Sequence, residues 1–292
     1  MLSLPLQTDA DLLLIRGLIQ RLPEGTSVVD FEEKMLVAAV RRFTCLWLEG
    51  EQAVAFALVD DFNNLMFDVD PAFAGEALGR EIVAWGLDCM RRRNAESGDS
   101  ATLDASCEAR DYGRAAFLRS HGFQLDEVRS LQYERALAGD LPQQPLPPGF
   151  TLRPVRGEGE VEDLAALHRA AFGTQHMTAE GRLAIMRAPG YIPELDWVAV
   201  APSGELAAFC ICGFEDETRQ VGYTDPIGTH PRYQRLGLAR ALVCAGLQEL
   251  QHRGARTVRL GTSSENLPMQ RLAESLGFVV VSERLWFSKI VE

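Results

Sequence analysis

The chain has 292 residues, of which 47% are hydrophobic and 24% are charged, and its formal net charge is −12. This length suits two domains of roughly 140 residues each, and the apolar content allows both to bury a core. The negative charge argues against nonspecific nucleic-acid binding, which requires a basic surface, and favours a small cationic substrate.

The N-terminal segment and the cysteines predict a cytoplasmic protein. MLSLPLQTDADLLLIRGL has no basic residue before its apolar ones, and Asp9 and Asp11 interrupt it, so it does not resemble a signal peptide. No segment approaches the roughly 18 consecutive apolar residues of a membrane span. The six cysteines form no Cys-x-x-Cys pair and have no histidines at zinc-ligand spacing. We therefore expect reduced core cysteines, no metal site and no membrane contact.

In chain order, the first half begins with a short strand at residues 2–7 that leads into an acidic helix start. Two apolar runs around a turn at 44–60 predict a β-hairpin. A helix-period pattern then runs through DPAFAGEALGREIVAWG at 70–86. The segment AGDLPQQPLPPGF at 138–150 contains four prolines and two glycines, which predicts an extended linker.

The second half repeats this order of elements. HPRYQRLGLARALVCAG at 230–246 aligns without a gap with residues 70–86. Each half therefore predicts an α/β (α+β) unit with a mixed sheet. The predicted domains are residues 1–140 and 150–292, joined by a Pro-rich linker at 141–149.

The two copies differ in the turn that opens the repeated helix. The second copy has QRLGLA at 234–239, whereas the first has AGEALG at 74–79. Helix N-termini leave backbone N–H groups unpaired and bind anions, phosphates above all. Arginine in the first helical turn opposes the helix dipole unless an anion offsets it, and Glu76 in the first copy would repel a phosphate. The sequence predicts an anion site in the second half and none in the first.

The segments IGTHPRYQRLGLARALV, TVRLGTSSEN and LAESLGF of the second half resemble the GCN5-related N-acetyltransferase (GNAT) family. That family's Gln/Arg-x-x-Gly-x-Gly/Ala signature is matched by residues 234–239, and the repeat extends the resemblance to a tandem type with a degenerate first copy. The resemblance implies two GNAT-like domains, each a mixed, mostly antiparallel sheet flanked by helices. It also implies acetyl-CoA as co-substrate and acetyl transfer to a primary amine of a small molecule or peptide.

The same resemblance implies where acetyl-CoA binds. The amides of the turn would hold its pyrophosphate, with Arg232 and Arg235 beside its phosphates, and the preceding strand would line the pantetheine arm through main-chain bonds. Asn266 stands where family members often place an asparagine that reaches the cofactor, and it could equally cap a helix. The implied cofactor-binding residues are Ile227, Gly228, Thr229, Gln234, Arg235, Leu236, Gly237, Leu238, Ala239 and Asn266.

Acetyl transfer to an amine needs a base, because an ammonium group has no lone pair. By the period of two, Tyr223, Asp225 and Ile227 share a strand face. Asp225 then lies just upstream of the cofactor-binding strand, where this family often has an acidic residue. A turn aspartate before proline is the alternative interpretation of Asp225, and His230 is a weaker candidate for the base.

The family's general acid, a tyrosine four residues before the closing Gly-Phe, is replaced here by Ala273. Either Tyr223 or Tyr233 supplies the proton, or the thiolate leaves without a donor, since a thiol is acidic enough to allow it. We name Asp225 and Tyr223 as the catalytic candidates. Tyr233 corresponds to Phe73 in the first copy, which favours a core role for it.

Three functions remain open at this stage. The first is direct acetyl transfer by the second half, with the first half supporting the fold. The second is a mycothiol synthase-like acetyltransferase, a narrower tandem group of the same family whose second copy is the active one. The third is a non-catalytic acyl-CoA-binding sensor or scaffold. The acceptor depends on loops such as 172–196, with Glu215 and Asp216 in a solvated loop or at the acceptor rim, and the oligomeric state is open.

Overall fold

The computed structural model describes residues 1–22, 25–175, 177–215 and 220–292. The chain forms two compact units, one of Met1–Arg129 with Glu283–Glu292 and one of Ser130–Ser282. Relative to the limits predicted from the linker, residues 130–140 belong to the second unit and residues 283–292 to the first. The pairing of the strands that contain these residues explains the assignment.

The first unit begins with a four-stranded antiparallel sheet in the order β1-β2-β3-β4. A fifth strand pairs antiparallel with the end of the chain's last strand, from Leu103 opposite Lys289 to Glu108 opposite Arg284. The elements are β1 (Leu2–Pro5), α1 (Asp9–Arg21), α2 (Val28–Met35), α3 (Ala38–Arg42), β2 (Thr44–Glu49), β3 (Gln52–Val59), β4 (Leu65–Val69), α4 (Glu76–Ser97), β5 (Leu103–Glu108), α5 (Tyr112–Ser120), the start of β6 (Gln124–Ala136) and the end of β12 (Val279–Lys289). The predicted hairpin at 44–60 is confirmed as β2 and β3.

The second unit contains a mixed sheet in which the order is β6-β11-β10-β9-β8-β7. Among the described residues of this sheet, only β10 and β11 run parallel, and the other neighbouring strands pair antiparallel. The elements that follow β6 are β7 (Thr151–Pro154), α6 (Val161–Phe172), α7 (Ala179–Met186), β8 (Asp196–Val200), β9 (Leu206–Glu215), β10 (Val221–Thr229), α8 (Leu238–His252), β11 (Thr257–Ser263), α9 (Leu267–Ser275) and the start of β12. The mixed, mostly antiparallel sheet flanked by helices is confirmed.

Helices cover both faces of this second sheet. Leu238, Leu242 and Leu250 of α8 are buried in a cluster that includes Val258 and Leu260 of β11. On the opposite face, Leu164 and Leu167 of α6 pack with Val198 and Phe209. The recurrence of leucines at helical spacing in α8 is the pattern from which the sequence predicts a buried face.

All six cysteines are buried and none forms a disulfide. Cys210 and Cys212 lie on β9 with their sulfur atoms 3.6 Å apart, and burial raises the pKa values of Cys45 and Cys89 to about 11 and about 12. Such thiols are core side chains with little thiolate at neutral pH. None of the helices in the described ranges combines the length and apolar character needed to cross a membrane.

The first unit retains the helix of the repeat as a packing element. Ile82 of α4 is fully buried, in one cluster with Leu78, Val83, Leu65 and Leu103. Burying an aliphatic side chain of this size stabilises the folded state by about 1.5–3 kcal/mol. This contribution gives the helix a structural role whether or not it binds a ligand.

We predict that Ile82→Ala lowers the free energy of unfolding by about 2–5 kcal/mol, because truncating a fully buried aliphatic side chain removes contacts and leaves a cavity. Chemical denaturation of the full chain measures this change. Arg92→Ala, at an exposed position on the same helix, is the matched control and should remain within about 0.5 kcal/mol of the wild type. Equal stabilities for the two variants would contradict the packing of α4 described above.

Candidate functional site

The site begins where β10 leaves β11. The two strands pair in parallel at Val221, Gly222 and Tyr223, and within the described residues no strand pairs with that edge of β10 beyond Tyr223. The other edge of β10 stays on β9 as far as Thr229, which lies opposite Ala208. The gap between β10 and β11 therefore leaves main-chain donors and acceptors on this edge of β10 without a partner strand.

A β-bulge lies at the start of this gap. Thr224 is opposite Cys212 and Ile227 is opposite Cys210, so Asp225 and Pro226 both fall opposite a single residue of β9. A bulge of this kind bends its strand and redirects side chains. It is the local feature that separates the paired part of β10 from the part at the gap.

The bulge corrects one sequence prediction, that Tyr223, Asp225 and Ile227 share a strand face. Cys210 and Cys212 lie on one face of β9 by the period of two, so their partners Ile227 and Thr224 also share a face. Ile227 packs in the α8 cluster, whereas Tyr223 lies on the opposite face. The shared-face prediction was wrong for Ile227, because the extra residue of the bulge inverts the alternation.

Asp225 reaches from the bulge to the neighbouring strand. Its Oδ2 accepts a hydrogen bond from the backbone N–H of Gly261 on β11 at 3.0 Å. Desolvation by the surrounding protein raises the pKa of this carboxyl above the ordinary 3.8. The hydrogen bond from Gly261 has a smaller effect in the opposite direction. A carboxylate with a raised pKa is a stronger proton acceptor than an ordinary aspartate.

Asp225 lines a cavity of about 450 Å³. Three of the site residues predicted from the sequence line this cavity: Asp225, Ile227 and Asn266. The full lining is Phe172, Asp225, Pro226, Ile227, Gly261, Thr262, Ser263, Asn266 and Met269.

Several lining residues were not predicted as site residues. Gly261, Thr262 and Ser263 belong to the TVRLGTSSEN segment that contributes to the family resemblance, and this signal could have identified them. Phe172 and Met269 lie on α6 and α9. Phe172 is also the first residue of the segment 172–196 on which the acceptor was expected to depend, whereas no local pattern marks Met269.

Tyr223 lies apart from the residues that line this cavity. It is opposite Arg259 of β11, which in turn is opposite Glu134 of β6. Arg259 Nε donates to Glu134 Oε2 at 2.9 Å. Glu134, and to a smaller extent Tyr223, raise the pKa of the Arg259 guanidinium. The three side chains form a polar row across one face of the sheet.

The turn predicted to bind an anion follows β10. A short 3₁₀ segment, Pro231–Tyr233, leads into residues 234–237 and then α8. Arg235 and Gly237 have positive φ angles of 63° and 81°. Left-handed conformation is uncommon for arginine and ordinary for glycine.

The amides of this turn point to a common function. The first N–H groups of a helix have no intrahelical acceptor, and Ala241 is the first residue of α8 whose N–H bonds a carbonyl, that of Gly237. In the part of the chain that the structure describes, the N–H groups of residues 235–240 donate to no protein acceptor. Consecutive free amides at a helix N-terminus form an anion-binding arrangement.

The two arginines beside the turn differ in their surroundings. Arg232 forms an ion pair with Glu205 at 2.7 Å, whereas Arg235 is exposed and pairs with no acidic side chain among the described residues. Tyr233 donates its hydroxyl to the other oxygen of Glu205 at 2.7 Å, and the hydrogen bonds from Tyr233, Arg232 and Ser203 lower the pKa of Glu205 to about 2. Arg235 is therefore the available cation, and Arg232 is partly neutralised.

The corresponding turn of the first unit is shorter. Pro71–Phe73 also forms a 3₁₀ segment, but α4 begins at Glu76, after only Ala74 and Gly75. In the second unit four residues separate the 3₁₀ segment from α8. The first helix thus begins two residues earlier relative to the repeat, and Glu76 pairs with Arg80 of the same helix.

Two candidate site residues also have capping roles. Asn266 Oδ1 accepts from Met269 N at 3.2 Å at the start of α9, while the residue lines the cavity. His230 Nδ1 accepts from Arg232 N at 3.2 Å, as Asp70 Oδ1 does from Ala72 N in the first unit. This shared cap accounts for His230 without a catalytic role. Asp216 lies outside the described residues, and Glu215 ends β9.

Gly228 has a packing requirement in addition to its predicted role beside the cofactor. A Cβ at this position would collide with the ring of Phe209 and would lie 2.9 Å from the Cβ of Ala171. Only glycine lets β10 approach α6 and β9 so closely. Gly228 thereby fixes the position of β10, the strand that borders the gap, relative to α6 and β9.

Comparisons with known proteins agree with this architecture. A family model described as the acetyltransferase (GNAT) family matches residues 161–278. A mycothiol acetyltransferase of Arthrobacter sp. is 32% identical over 236 residues, which cover 77% of this chain and 70% of that protein. A mycothiol acetyltransferase of Thermobispora bispora is 28% identical over 288 residues, covering 93% and 94%. The chain belongs to the GNAT family of acetyltransferases and is an acyltransferase enzyme.

Solved structures show the same fold over the whole chain. A GCN5-related N-acetyltransferase from Sphaerobacter thermophilus has a TM-score of 0.77 and 21% identity, covering 100% of this chain and 96% of the other. A tandem GNAT protein from the clavulanic acid biosynthesis pathway has a TM-score of 0.75 and 18% identity, covering 100% and 98%. These similarities support the tandem arrangement of two GNAT-like domains that the repeat predicts.

We predict that Gly228→Ala destabilises the chain by about 1–3 kcal/mol, the usual cost of an added methyl group in a packed position. Thermal or chemical denaturation measures it. Gly213→Ala, on β9 with no atom within 4 Å of the added Cβ, is the matched control. Phe209→Leu combined with Gly228→Ala should recover part of the loss. Wild-type stability for Gly228→Ala alone would show that the close approach of β10 to Phe209 is incorrect.

Proposed function

We propose that the second unit binds acetyl-CoA along β10 and the turn before α8, and transfers its acetyl group to a primary amine by direct attack. The observation that supports this most strongly is the run of N–H groups at 235–240 that have no acceptor among the described residues, next to the edge of β10 that no longer pairs with β11. Members of the GNAT family use acetyl-CoA. The two features match the two chemical parts of this co-substrate, an anionic phosphate portion and an extended amide arm.

The proposed roles of the residues follow from what each can donate or accept. The amides of residues 234–239 and the guanidinium of Arg235 would bind the phosphates, since both supply positive or partly positive charge to an anion. The free edge of β10 at Ile227, Gly228 and Thr229 would pair with the pantetheine amides as a strand does. A backbone amide of this edge would polarise the thioester carbonyl, and Asn266 would contact the arm from the cavity wall.

Asp225 is the proposed general base. It lies at the beginning of the gap, lines the cavity and has a raised pKa. Its carboxylate would accept a proton from the acceptor ammonium, directly or through water, and so expose the lone pair that attacks. The hydrogen bond from Gly261 fixes the direction of the carboxylate, which is what positioning a reactive group requires.

Protonation of the leaving thiolate has two candidate routes. Tyr233 donates its hydroxyl proton to Glu205, whereas the partner of Tyr223 is Arg259, which can only donate and so leaves the hydroxyl proton of Tyr223 available. Tyr223 is therefore the tyrosine we propose for a catalytic role, at the last paired position of β10 before the gap. Ala273 is fully buried on α9 and has no proton to donate. The alternative to Tyr223 is departure of the thiolate without a donor, as an ordinary thiol is sufficiently acidic.

A second, finer candidate for the function comes from the relatives. Mycothiol acetyltransferases between 28% and 33% identical are similar to this chain over much of its length. We propose mycothiol acetyltransferase activity, after which those relatives are named, as the first specific reaction to assay. The proposed primary-amine acceptor and the tandem arrangement are compatible with it, and a panel of small-molecule and peptide amines tests the broader proposal.

We predict that Asp225→Asn lowers kcat for amine acetylation by about 10²–10⁴-fold, because general-base assistance is lost, while acetyl-CoA affinity changes little. In the wild type the rate should decline as pH falls through the pKa of this carboxyl, which lies above 3.8, since the protonated acid cannot accept a proton. This decline should be absent in Asp225→Asn. Steady-state kinetics across pH measures both effects.

Asp163→Asn, at an exposed position on α6, is the control for a change of charge away from the cavity and should keep the wild-type profile. A wild-type rate and pH profile for Asp225→Asn would remove Asp225 from the mechanism. Absence of acetyl transfer by the wild type to every amine in the panel would contradict the proposed acceptor class.

A further inference from the structure

The Pro-rich linker and the residues before it lie along α8 of the second unit. Gln251 of α8 donates its Nε2 to the carbonyls of Leu137 and Gly139 at 2.6 and 3.2 Å. Leu141 and Leu146 then pack on the cluster that α8 helps to form. These contacts hold the segment against the core on both sides of Gln144, and all of them lie within the second unit.

Gln144 is the linker residue that meets the anion-binding turn. Its Nε2 and Cδ would lie 3.3 and 3.7 Å from a Cβ on Gly237, the glycine that precedes α8 with φ of 81°. No side chain at 237 could adopt this φ easily, and the carboxamide of Gln144 would also restrict it. Glycine at this position therefore lets the linker approach the free amides of the turn.

The hydrogen bonds of Gln144 leave a donor available. A carboxamide nitrogen has two N–H donors, and among the described residues Nε2 has one acceptor, the carbonyl of Pro145 at 3.2 Å. Gln144 is half-buried, whereas the preceding Gln143 is exposed. A neutral donor fixed beside a set of helix N-terminal amides adds to the same anion-binding arrangement.

We propose that Gln144 is a further co-substrate-binding residue, which donates a hydrogen bond from its carboxamide to the phosphate portion of acetyl-CoA held by the amides of residues 235–240. The linker then forms one wall of the site in addition to connecting the two halves. This inference rests on the proposed function, because it assigns a residue to the same co-substrate. The chemical group that Gln144 would contact is a phosphate ester or a pyrophosphate, carried by a co-substrate that is also an acyl thioester.

Calorimetric titration with acetyl-CoA tests the proposal in four full-length proteins: wild type, Gln144→Ala, Gln144→Glu and the control Gln143→Ala. Hydrogen bonds to charged groups are strong enough that Gln144→Ala should raise the Kd about tenfold. Gln144→Glu should raise it further, about 30- to 100-fold, since its charge repels the phosphate. Gln143→Ala should bind as the wild type does.

S-acetylpantetheine, which lacks the nucleotide and the pyrophosphate, separates a binding role from a structural one. Its KM in the acetylation assay should be the same in wild type and Gln144→Ala. Equal weakening with acetyl-CoA and S-acetylpantetheine would show that Gln144 only supports the turn and would overturn the inference, as would an unchanged Kd for acetyl-CoA. If the wild type bound no acetyl-CoA, the proposed function itself would fail and this inference with it.

Discussion

The separation of β10 from β11 after Tyr223 is the constraint on which the site depends. A strand inside a sheet normally satisfies its N–H and C=O groups on both edges, and an unpaired edge is stable only where solvent or a ligand takes the place of the missing strand. Here β10 keeps β9 on one side and loses β11 on the other. The cavity, the position of Asp225 and the free edge at Ile227, Gly228 and Thr229 all follow from this separation.

Three local features hold the strands in this arrangement. The bulge at Asp225 and Pro226 bends β10, the carboxylate of Asp225 spans the gap to Gly261, and the absence of a side chain at Gly228 lets the bent strand pack on Phe209. On the far side, β11 remains fully paired with β6 over seven residue pairs. The gap is therefore local, and the sheet around it is continuous.

The comparison of the two copies shows which features belong to packing and which to binding. Both copies keep the 3₁₀ segment with its capping residue, the buried helix and the antiparallel strands. Only the second has a bulge in the strand before the helix and four residues between the 3₁₀ segment and the helix. In the first copy α4 extends back over the positions that form the turn in the second, so fewer free amides precede the helix, and its first residue is Glu76. The retained core explains how such a copy remains folded.

Much of this could be predicted from sequence because its causes are local. The hairpins, the repeated helix and the turn at 234–239 follow from apolar period, glycine placement and helix-end chemistry. Other features depend on partners distant in the chain. Arg232 is neutralised by Glu205, and Ile227 faces the α8 cluster only because a bulge reverses the period of two. The assignment of residues 130–140 and 283–292 to the two units depends on strand pairing across more than a hundred residues, to which no local pattern corresponds.

The central claim is that one anion-binding turn, in the second unit, holds acetyl-CoA. Hydrogen exchange of the full chain, with and without saturating acetyl-CoA, tests it directly, because an amide that gains an acceptor exchanges more slowly. The account predicts slower exchange at residues 227–229 and 235–240, with no change at 67–69 and 74–80. Equal protection of residues 235–240 and 74–80, or protection of 74–80 alone, would contradict it.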